Sequence, residues 1–107
     1  MTAYIIASLT IHDREEMKKY TAAVPAAIKQ YGGRYLCRGA EATSIEGKFP
    51  LPSITILEFA SREKAEEFWQ SPEYKACKAL RENCSSGRVA LVEGSPGEAP
   101  IPGYLKA

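Results

Sequence analysis

The chain has 107 residues, 45% of them hydrophobic and 25% charged, which indicates one globular domain and excludes an intrinsically disordered protein. Its formal net charge of +1 argues against nucleic acid as the partner, because phosphate backbones are bound by dense basic surfaces. No apolar run reaches the ~20 residues that span a bilayer, and the first residues show no signal-like pattern, so we expect a cytoplasmic protein without a membrane partner.

The first half of the domain is predicted to be a strand followed by a helix. Residues 3–11 alternate between two faces, as a half-buried strand does. Asp13 is typical of a helix N-cap, and apolar residues then recur at helical spacing from Met17 to Tyr31. Pro25 interrupts that pattern and is expected to kink the helix. Gly32 and Gly33 end it.

The second half is predicted to contain three strands and a broken helix. Alternation and turn residues place the strands at residues 34–39, 53–59 and 88–93, with a long connection over 40–52. Ser61 caps the helix, and Ser71-Pro72-Glu73 restarts it. The proline- and glycine-rich residues 95–107 form a tail for which no regular structure is expected, so the folded domain spans residues 1–94.

The order β-α-β-β-α-β predicts a ferredoxin-like α+β fold, a four-stranded antiparallel sheet with two helices on one face. Two helices cover only one side of such a sheet. The other side would expose Ile6, Leu36 or Cys37, Ile56 or Leu57, and Leu91 or Val92. A soluble monomer rarely exposes so large an apolar face, so we expect a homodimer that packs sheet against sheet. The alternative cover is the chain's own tail.

The three cysteines are expected to be free thiols. Seven residues of helix would put Cys77 and Cys84 ~10 Å apart, beyond the ~7 Å that a disulfide tolerates. A single histidine also argues against an ordinary metal site. Phosphate loops, dinucleotide fingerprints and catalytic triad motifs are missing from the sequence, so no cofactor is expected, and either cofactor-free chemistry or plain binding is favoured.

Several short segments, in this order and spacing, resemble the family known as domain of unknown function 1330, small dimeric α/β-barrel proteins. The segments are Tyr31-Gly32-Gly33, Tyr35-Leu36, Arg38-Gly39, Glu46-Gly47, Ile56-Leu57-Glu58-Phe59, Ala65, Ser71-Pro72-Glu73-Tyr74, Arg81 and Leu91-Val92-Glu93-Gly94. The resemblance implies a ferredoxin-like fold and a dimer in which two sheets face each other. It implies no established activity.

Candidate site residues follow from the expected strand directions. With the first and third strands taken as parallel, His12 and Glu58 share one sheet edge and form a candidate proton-transfer pair. The opposite edge is expected to gather Tyr4, Arg38, Glu93 and the loop with Glu46. Some of these residues also have a structural interpretation: His12 as an exposed linker residue, Glu58 as a cross-strand partner of an arginine, and Arg38 as an ion-pair partner of Glu46 or Glu93.

Two candidates on the last helix complete the set. Tyr74 and Arg81 lie about two helical turns apart and are predicted to face the cleft between helix and sheet. We assign catalysis to His12, Arg38, Glu46 and Glu58, and substrate binding to Tyr4, Tyr74, Arg81 and Glu93. Two functions stay open: cofactor-free proton transfer on a small polar organic molecule, or a non-catalytic ligand-binding or dimerisation module.

Overall fold

The computed structural model describes residues 2–49, 51 and 53–95, so the predicted tail lies, after Ser95, outside the described residues. The elements are β1 (Ala3–Ile11), α1 (Arg14–Gln30), β2 (Arg34–Ala40), β3 (Ile54–Phe59), α2 (Arg62–Gln70), α3 (Pro72–Arg81) and β4 (Ser85–Glu93). This is the β-α-β-β-α-β order with the second helix in two pieces. The predicted ferredoxin-like α+β fold is confirmed.

Each helix begins at the predicted cap. The carboxylate of Asp13 accepts from the amide of Glu16, the Ser61 hydroxyl accepts from Lys64, and the Ser71 hydroxyl accepts from Tyr74. These oxygens satisfy amides that the first turn of a helix leaves without partners. α1 runs as one helix through Pro25.

The strand order in the sheet is β2-β3-β1-β4, and every neighbouring pair is antiparallel. The expectation that the first and third strands are parallel was therefore wrong. A crossover through a helix returns the chain in its original direction, so β1 and β2 run the same way. β3 turns back from β2 and inserts between β2 and β1, which makes it antiparallel to both.

This topology changes which candidate residues share a sheet edge. Tyr4 pairs with Glu58 across the β1–β3 ladder, and Ala3 pairs with Glu93 across the β1–β4 ladder. His12 follows the other end of β1, where Ile11 pairs with Ser85. The predicted His12–Glu58 pair therefore does not form. Glu58 shares the edge of Tyr4 and Glu93.

Arg38 is also separated from the residues with which it was grouped. It lies between Cys37, which pairs with Ile56, and Ala40, which pairs with Ile54. These positions are toward the His12 end of the sheet, so Arg38 is apart from Tyr4 and Glu93.

The last strand begins three residues earlier than predicted, at Ser85 rather than Arg88. Ser85, Ser86 and Gly87 have the composition of a turn, yet they pair with residues Ile11, Thr10 and Leu9 of β1. A Cβ on Gly87 would overlap the backbone oxygen of Ser8. The close approach of the two strands therefore requires glycine at this position.

The core lies between one sheet face and the helices, and its two largest fully buried side chains are Phe59 and Phe68. Residues paired across antiparallel strands point to the same face. Ile5, Leu57 and Leu91 therefore point toward the helices. The three cysteines are free thiols, and burial raises the pKa of Cys77.

The opposite, open face of the sheet, away from the helices, carries an apolar patch beside polar residues such as Ser8 and Arg88, which pair across β1 and β4. It carries Ile6 and its paired neighbour Ile56, together with the exposed side chains of Leu36 and Val92. The sequence predicted an apolar face that carries Ile6, and it left open whether Ile56 or Leu57, and Leu91 or Val92, lie on it. The structure places Ile56 and Val92 on this face.

Candidate functional site

A cavity of about 140 Å³ lies between the helix-facing side of the sheet and the helices α1 and α3. Strand alternation places Ile5, Ala7 and Leu9 of β1 along its floor. Val24 and Ile28, from the buried stripe of α1, close the opposite wall. The cavity is therefore apolar over most of its surface.

Three polar side chains lie together at one side of this cavity. Nη2 of Arg81 donates to Oη of Tyr74 over 3.0 Å, and Oη of Tyr74 lies 3.3 Å from Oη of Tyr20. The guanidinium carbon of Arg81 is 5.5 Å from the ring centroid of Tyr20. All three residues line the cavity. We refer to Tyr20, Tyr74 and Arg81 as the polar cluster.

Arg81 is a buried cation without an acidic partner among the described residues. Its side chain is only 8% exposed, and its Nε has no hydrogen-bond partner in this part of the chain. No aspartate, glutamate, lysine or histidine is found among the described residues that line the cavity. Burying a charge without a counterion is costly, so the cluster favours an anion at this place.

The pKa shifts of Tyr20 and Arg81 describe the charge of the polar cluster at neutral pH. Burial, followed by the charge and hydrogen bond of Tyr74, raises the pKa of Tyr20 well above its ordinary value. Burial lowers the pKa of Arg81, but the hydrogen bonds and charges of Tyr74 and Tyr20 outweigh it and leave that pKa raised. At neutral pH the cluster therefore has a neutral phenol at Tyr20 and a fixed positive charge at Arg81.

The α2–α3 break positions Tyr74. Ser71 is buried, and its hydroxyl donates to the carbonyl of Phe68 over 2.7 Å while accepting from the amide of Tyr74 over 3.0 Å. The ring of Tyr74 packs between those of Phe68 and Trp69, with both centroids 4.8 Å away. The phenol oxygen is consequently held at the cavity by a cap and two aromatic contacts.

Arg38 lines the cavity as a second, more exposed cation. Its Nη2 donates to the backbone oxygen of Thr21 over 3.0 Å, and its guanidinium carbon is 4.8 Å from the ring centroid of Tyr35. Pro25, four residues after Thr21, has no amide proton to donate to that oxygen. The Thr21 oxygen therefore receives no hydrogen bond from residue 25 of the helix, and it accepts one from Arg38 instead.

Of the eight candidate residues from the sequence, the structure brings three to this cavity: Arg38, Tyr74 and Arg81. Their functional roles remain predictions. The other five lie elsewhere.

Two of those five are at the surface. His12 is exposed, and its Nε2 lies 2.9 Å from the hydroxyl of Ser86. Glu46 is exposed in the connection between β2 and β3.

The remaining three have partners inside the protein. Glu58 accepts from Nε of Arg34 over 2.7 Å, the Tyr4 hydroxyl accepts from Thr2 over 3.1 Å, and Glu93 lies 3.6 Å from Nη1 of Arg62. For Glu58 and Glu93 these contacts fit the ion-pair interpretation that the sequence left open.

Sequence reasoning missed Tyr20, Tyr35 and Trp69 as residues that line the cavity. Tyr20 falls within the apolar helical stripe predicted from Met17 to Tyr31, and Trp69 lies in α2. A phenol on an otherwise apolar helical stripe was the available signal, because a buried tyrosine hydroxyl usually has a polar partner.

Two further findings bear on the kind of site. Among residues 2–49, 51 and 53–95, no three histidine, cysteine, aspartate or glutamate side chains group as metal ligands would. None of the described helices combines the length and hydropathy needed to cross a membrane.

Comparison with solved structures places this fold among small ferredoxin-like proteins. A protein of unknown function from Rhodopseudomonas palustris superposes with a TM-score of 0.69 at 14% identity, covering 89% of this chain and 83% of its own. SnoaB, a cofactor-independent oxygenase from Streptomyces nogalater, has a TM-score of 0.61 at 10% identity, covering 92% and 98%. A dimeric ferredoxin-like protein of unknown function from Jannaschia sp. CCS1 has a TM-score of 0.60 at 12% identity, covering 90% and 100%. These likenesses concern the fold.

No curated protein matches the sequence. The family described as "Domain of unknown function (DUF1330)" does match it, over residues 2–95, which is most of the chain. The chain therefore belongs to the DUF1330 family.

Proposed function

We propose that this protein is a homodimer in which each cavity binds a small organic anion with a flat, apolar body. The observation that carries the proposal is Arg81, a buried guanidinium that lines the cavity and has no acidic partner among the described residues. A carboxylate or enolate in the cavity would supply the missing counterion. Charge-assisted hydrogen bonds to guanidinium groups are strong and directional.

The size and walls of the cavity support a single ring as the body of the ligand. An apolar cavity of ~150 Å³ accommodates benzene, and this cavity has a similar volume of about 140 Å³. Tyr20, Tyr35 and Trp69 offer aromatic surfaces. Arg38 at the exposed side adds a second positive charge that attracts an anion toward the cavity.

The catalytic form of the proposal is proton transfer at the polar cluster. The Tyr74 oxygen accepts from Arg81, so its own proton is available for a negatively charged ligand oxygen or for Tyr20. Such a donor stabilises the oxyanion that develops when solvent water takes a proton from the carbon next to a ketone, since no carboxylate or histidine among the described residues lines the cavity to act as the base. The similar fold of SnoaB, a cofactor-independent oxygenase, supports an enzymatic role only by analogy of fold.

The dimer is proposed from the open sheet face. Leu36 and Val92 are 47% and 44% exposed there, beside Ile6 and Ile56. A second copy of the chain would pack its own equivalent face against this one, so that the apolar patches of both copies are buried together. The neighbour from Jannaschia sp. CCS1 is a dimeric protein, which supports a dimeric state for this chain too.

A specific observation favours the second function, a non-catalytic binding module. His12 and Glu58, assigned to catalysis from the sequence, do not line the cavity and make contacts with Ser86 and Arg34 instead. The polar side chains among the described residues that line the cavity are phenols, aliphatic hydroxyls and guanidinium groups, and none of these is a good general base at neutral pH.

Binding is tested by titrating benzoate into the wild-type protein and two variants in a calorimeter. Arg81→Gln removes the buried charge, and we expect benzoate to bind about 10- to 100-fold more weakly, since a hydrogen bond to a charged group contributes about 1.5–3 kcal/mol. Arg14→Gln removes an exposed arginine outside the cavity and should leave the affinity unchanged. Equal affinity in Arg81→Gln and wild type would contradict the proposal.

Catalysis is tested separately with phenylpyruvate, which has a ring, a carboxylate and an enolisable carbon. We expect the protein to accelerate exchange of the protons next to the ketone with deuterium from solvent. Tyr74→Phe should slow the exchange while benzoate still binds. Binding of phenylpyruvate without any acceleration would leave the non-catalytic module as the function.

A further inference from the structure

A second cavity of about 190 Å³ adjoins the first, between α2 and β4. Ala65, Glu66 and Gln70 line it from α2, and Ala90 and Leu91 line it from β4. Three residues, Ile5, Trp69 and Val89, line both cavities. We refer to these three residues, which border both spaces, as the shared wall.

Trp69 is the largest side chain of this wall and the one best placed to separate the cavities. It lies in the last turn of α2 and is half-buried, whereas the preceding Phe68 is fully buried in the core. One side of its ring packs against Tyr74 of the polar cluster at 4.8 Å, and Nζ of Lys78 lies 5.4 Å from its centroid. The indole thus touches the residue that would hold the ligand's charged end.

The chemistry of the second cavity differs from that of the first. Its only charged residue among those described is Glu66, whose carboxylate accepts from Nε of Arg62 over 2.8 Å. The rest of its wall consists of apolar residues and Gln70. A second anion is disfavoured beside Glu66, whereas an uncharged apolar group is not.

We propose that Trp69 is the residue that limits the ligand to a single ring, because it closes the first cavity off from a latent second subsite between α2 and β4 that would take an uncharged apolar extension. With tryptophan in place, the first cavity takes a single-ring anion. With a smaller residue at position 69, the two cavities merge and accept two rings in line, with the carboxylate at Arg81. This inference rests on the proposed function, since it assigns the anion to the polar cluster.

The test compares benzoate with 4-biphenylcarboxylate by calorimetry, in the wild type and in Trp69→Ala. We expect the wild type to prefer benzoate and the variant to shift the affinity ratio at least tenfold toward the biphenyl. Trp69→Leu keeps more of the packing on Tyr74 and serves if the alanine variant does not fold. The expected direction of the shift is the same for both variants.

A second substitution distinguishes a filled subsite from a general loosening of the protein. Leu91 lines the second cavity and not the first. Leu91→Trp, introduced into the Trp69→Ala background, should fill the subsite, abolish the gain for the biphenyl and leave benzoate binding unchanged.

The outcomes separate this inference from the proposed function. Suppose that benzoate binding depends on Arg81, but that the ratio of the affinities for benzoate and 4-biphenylcarboxylate is the same in the wild type and in the Trp69 variants. That result would overturn the second subsite alone. A wild-type protein that already prefers the biphenyl would overturn it too, because Trp69 would then not be a barrier. If benzoate bound neither the wild type nor any of the position-69 variants, the proposed function itself would be overturned.

Discussion

At the scale of single residues, the polar cluster explains why tyrosine and arginine occur at buried positions of an apolar cavity. Arg81 has Tyr74 as its hydrogen-bond partner, and Tyr20 contacts both. The phenol oxygens reduce the cost of burying the guanidinium group by hydrogen bonding, but they do not supply a counterion. The cluster is therefore held together inside the protein while its charge stays available to a ligand.

The raised pKa of Tyr20 leads to a prediction for alkaline pH. Above about pH 10 the unfolded chain releases this proton, whereas the folded protein retains it. The contribution of Tyr20 to stability is complete below that pH and is lost as the pH rises toward the folded-state value. We expect the free energy of unfolding to fall more steeply with pH in wild type than in Tyr20→Phe, by at most about 1.4 kcal/mol per pH unit.

Urea denaturation at pH 9, 10 and 11 measures this difference. Tyr31 and Tyr35 also have raised pKa values, from the hydrogen bond to Glu73 and from burial respectively, but they are present in both proteins. Parallel pH profiles for wild type and Tyr20→Phe would show that burial at the cluster does not hold the proton.

At the scale of elements, Pro25 connects the geometry of α1 to the position of Arg38. A proline inside a helix removes one amide donor and is unfavourable by ~3 kcal/mol relative to alanine. Here the Thr21 oxygen, four residues earlier, accepts from the Arg38 guanidinium instead. A residue that is unfavourable for the helix thereby fixes a cation at the cavity.

Replacing the proline tests this link. In Pro25→Ala the new amide can bond to the Thr21 oxygen, so we expect a higher melting temperature together with several-fold weaker benzoate binding, as Arg38 loses its acceptor. Arg38→Gln is the matched comparison: it should weaken benzoate similarly without raising the melting temperature. A stabilised Pro25→Ala protein with unchanged affinity would mean that the Thr21 contact does not position Arg38.

At the scale of the whole molecule, one layer of helices leaves one sheet face without cover from the described residues. We expect sedimentation of the full chain to show a dimer. Val92→Asp places a charge on the open face and should give a folded monomer, because a buried carboxylate without a partner is strongly unfavourable.

Leu80→Asp is the control for that experiment. Leu80 lies on α3 and is 38% exposed, similar to the 44% of Val92, but it belongs to the helix layer. The substitution should leave the dimer intact. A wild-type chain that sediments as a monomer, or a Val92→Asp protein that stays dimeric, would contradict the sheet-to-sheet arrangement.

Much of the fold was predictable because its signals are local. Alternation defined β1, the oxygens of Asp13, Ser61 and Ser71 defined the helix starts, and Pro72 defined the restart. Each depends on neighbours within a few residues, which the sequence displays directly. The start of β4 was missed because the pairing of Ser85 with Ile11, distant in sequence, outweighs the turn-like composition there.

The candidate site was only partly predictable, because its residues come from separate elements. The sequence by itself determined the order of elements, the apolar open face, and that Tyr74 and Arg81 lie about two turns apart on one helix. Only the tertiary structure decided the strand directions, which place His12 and Glu58 at opposite ends of the sheet. It also decided the packing of α1 against α3, which brings Tyr20 next to Arg81. Spacing along a chain specifies neighbours within an element, whereas contacts between elements depend on how the whole core packs.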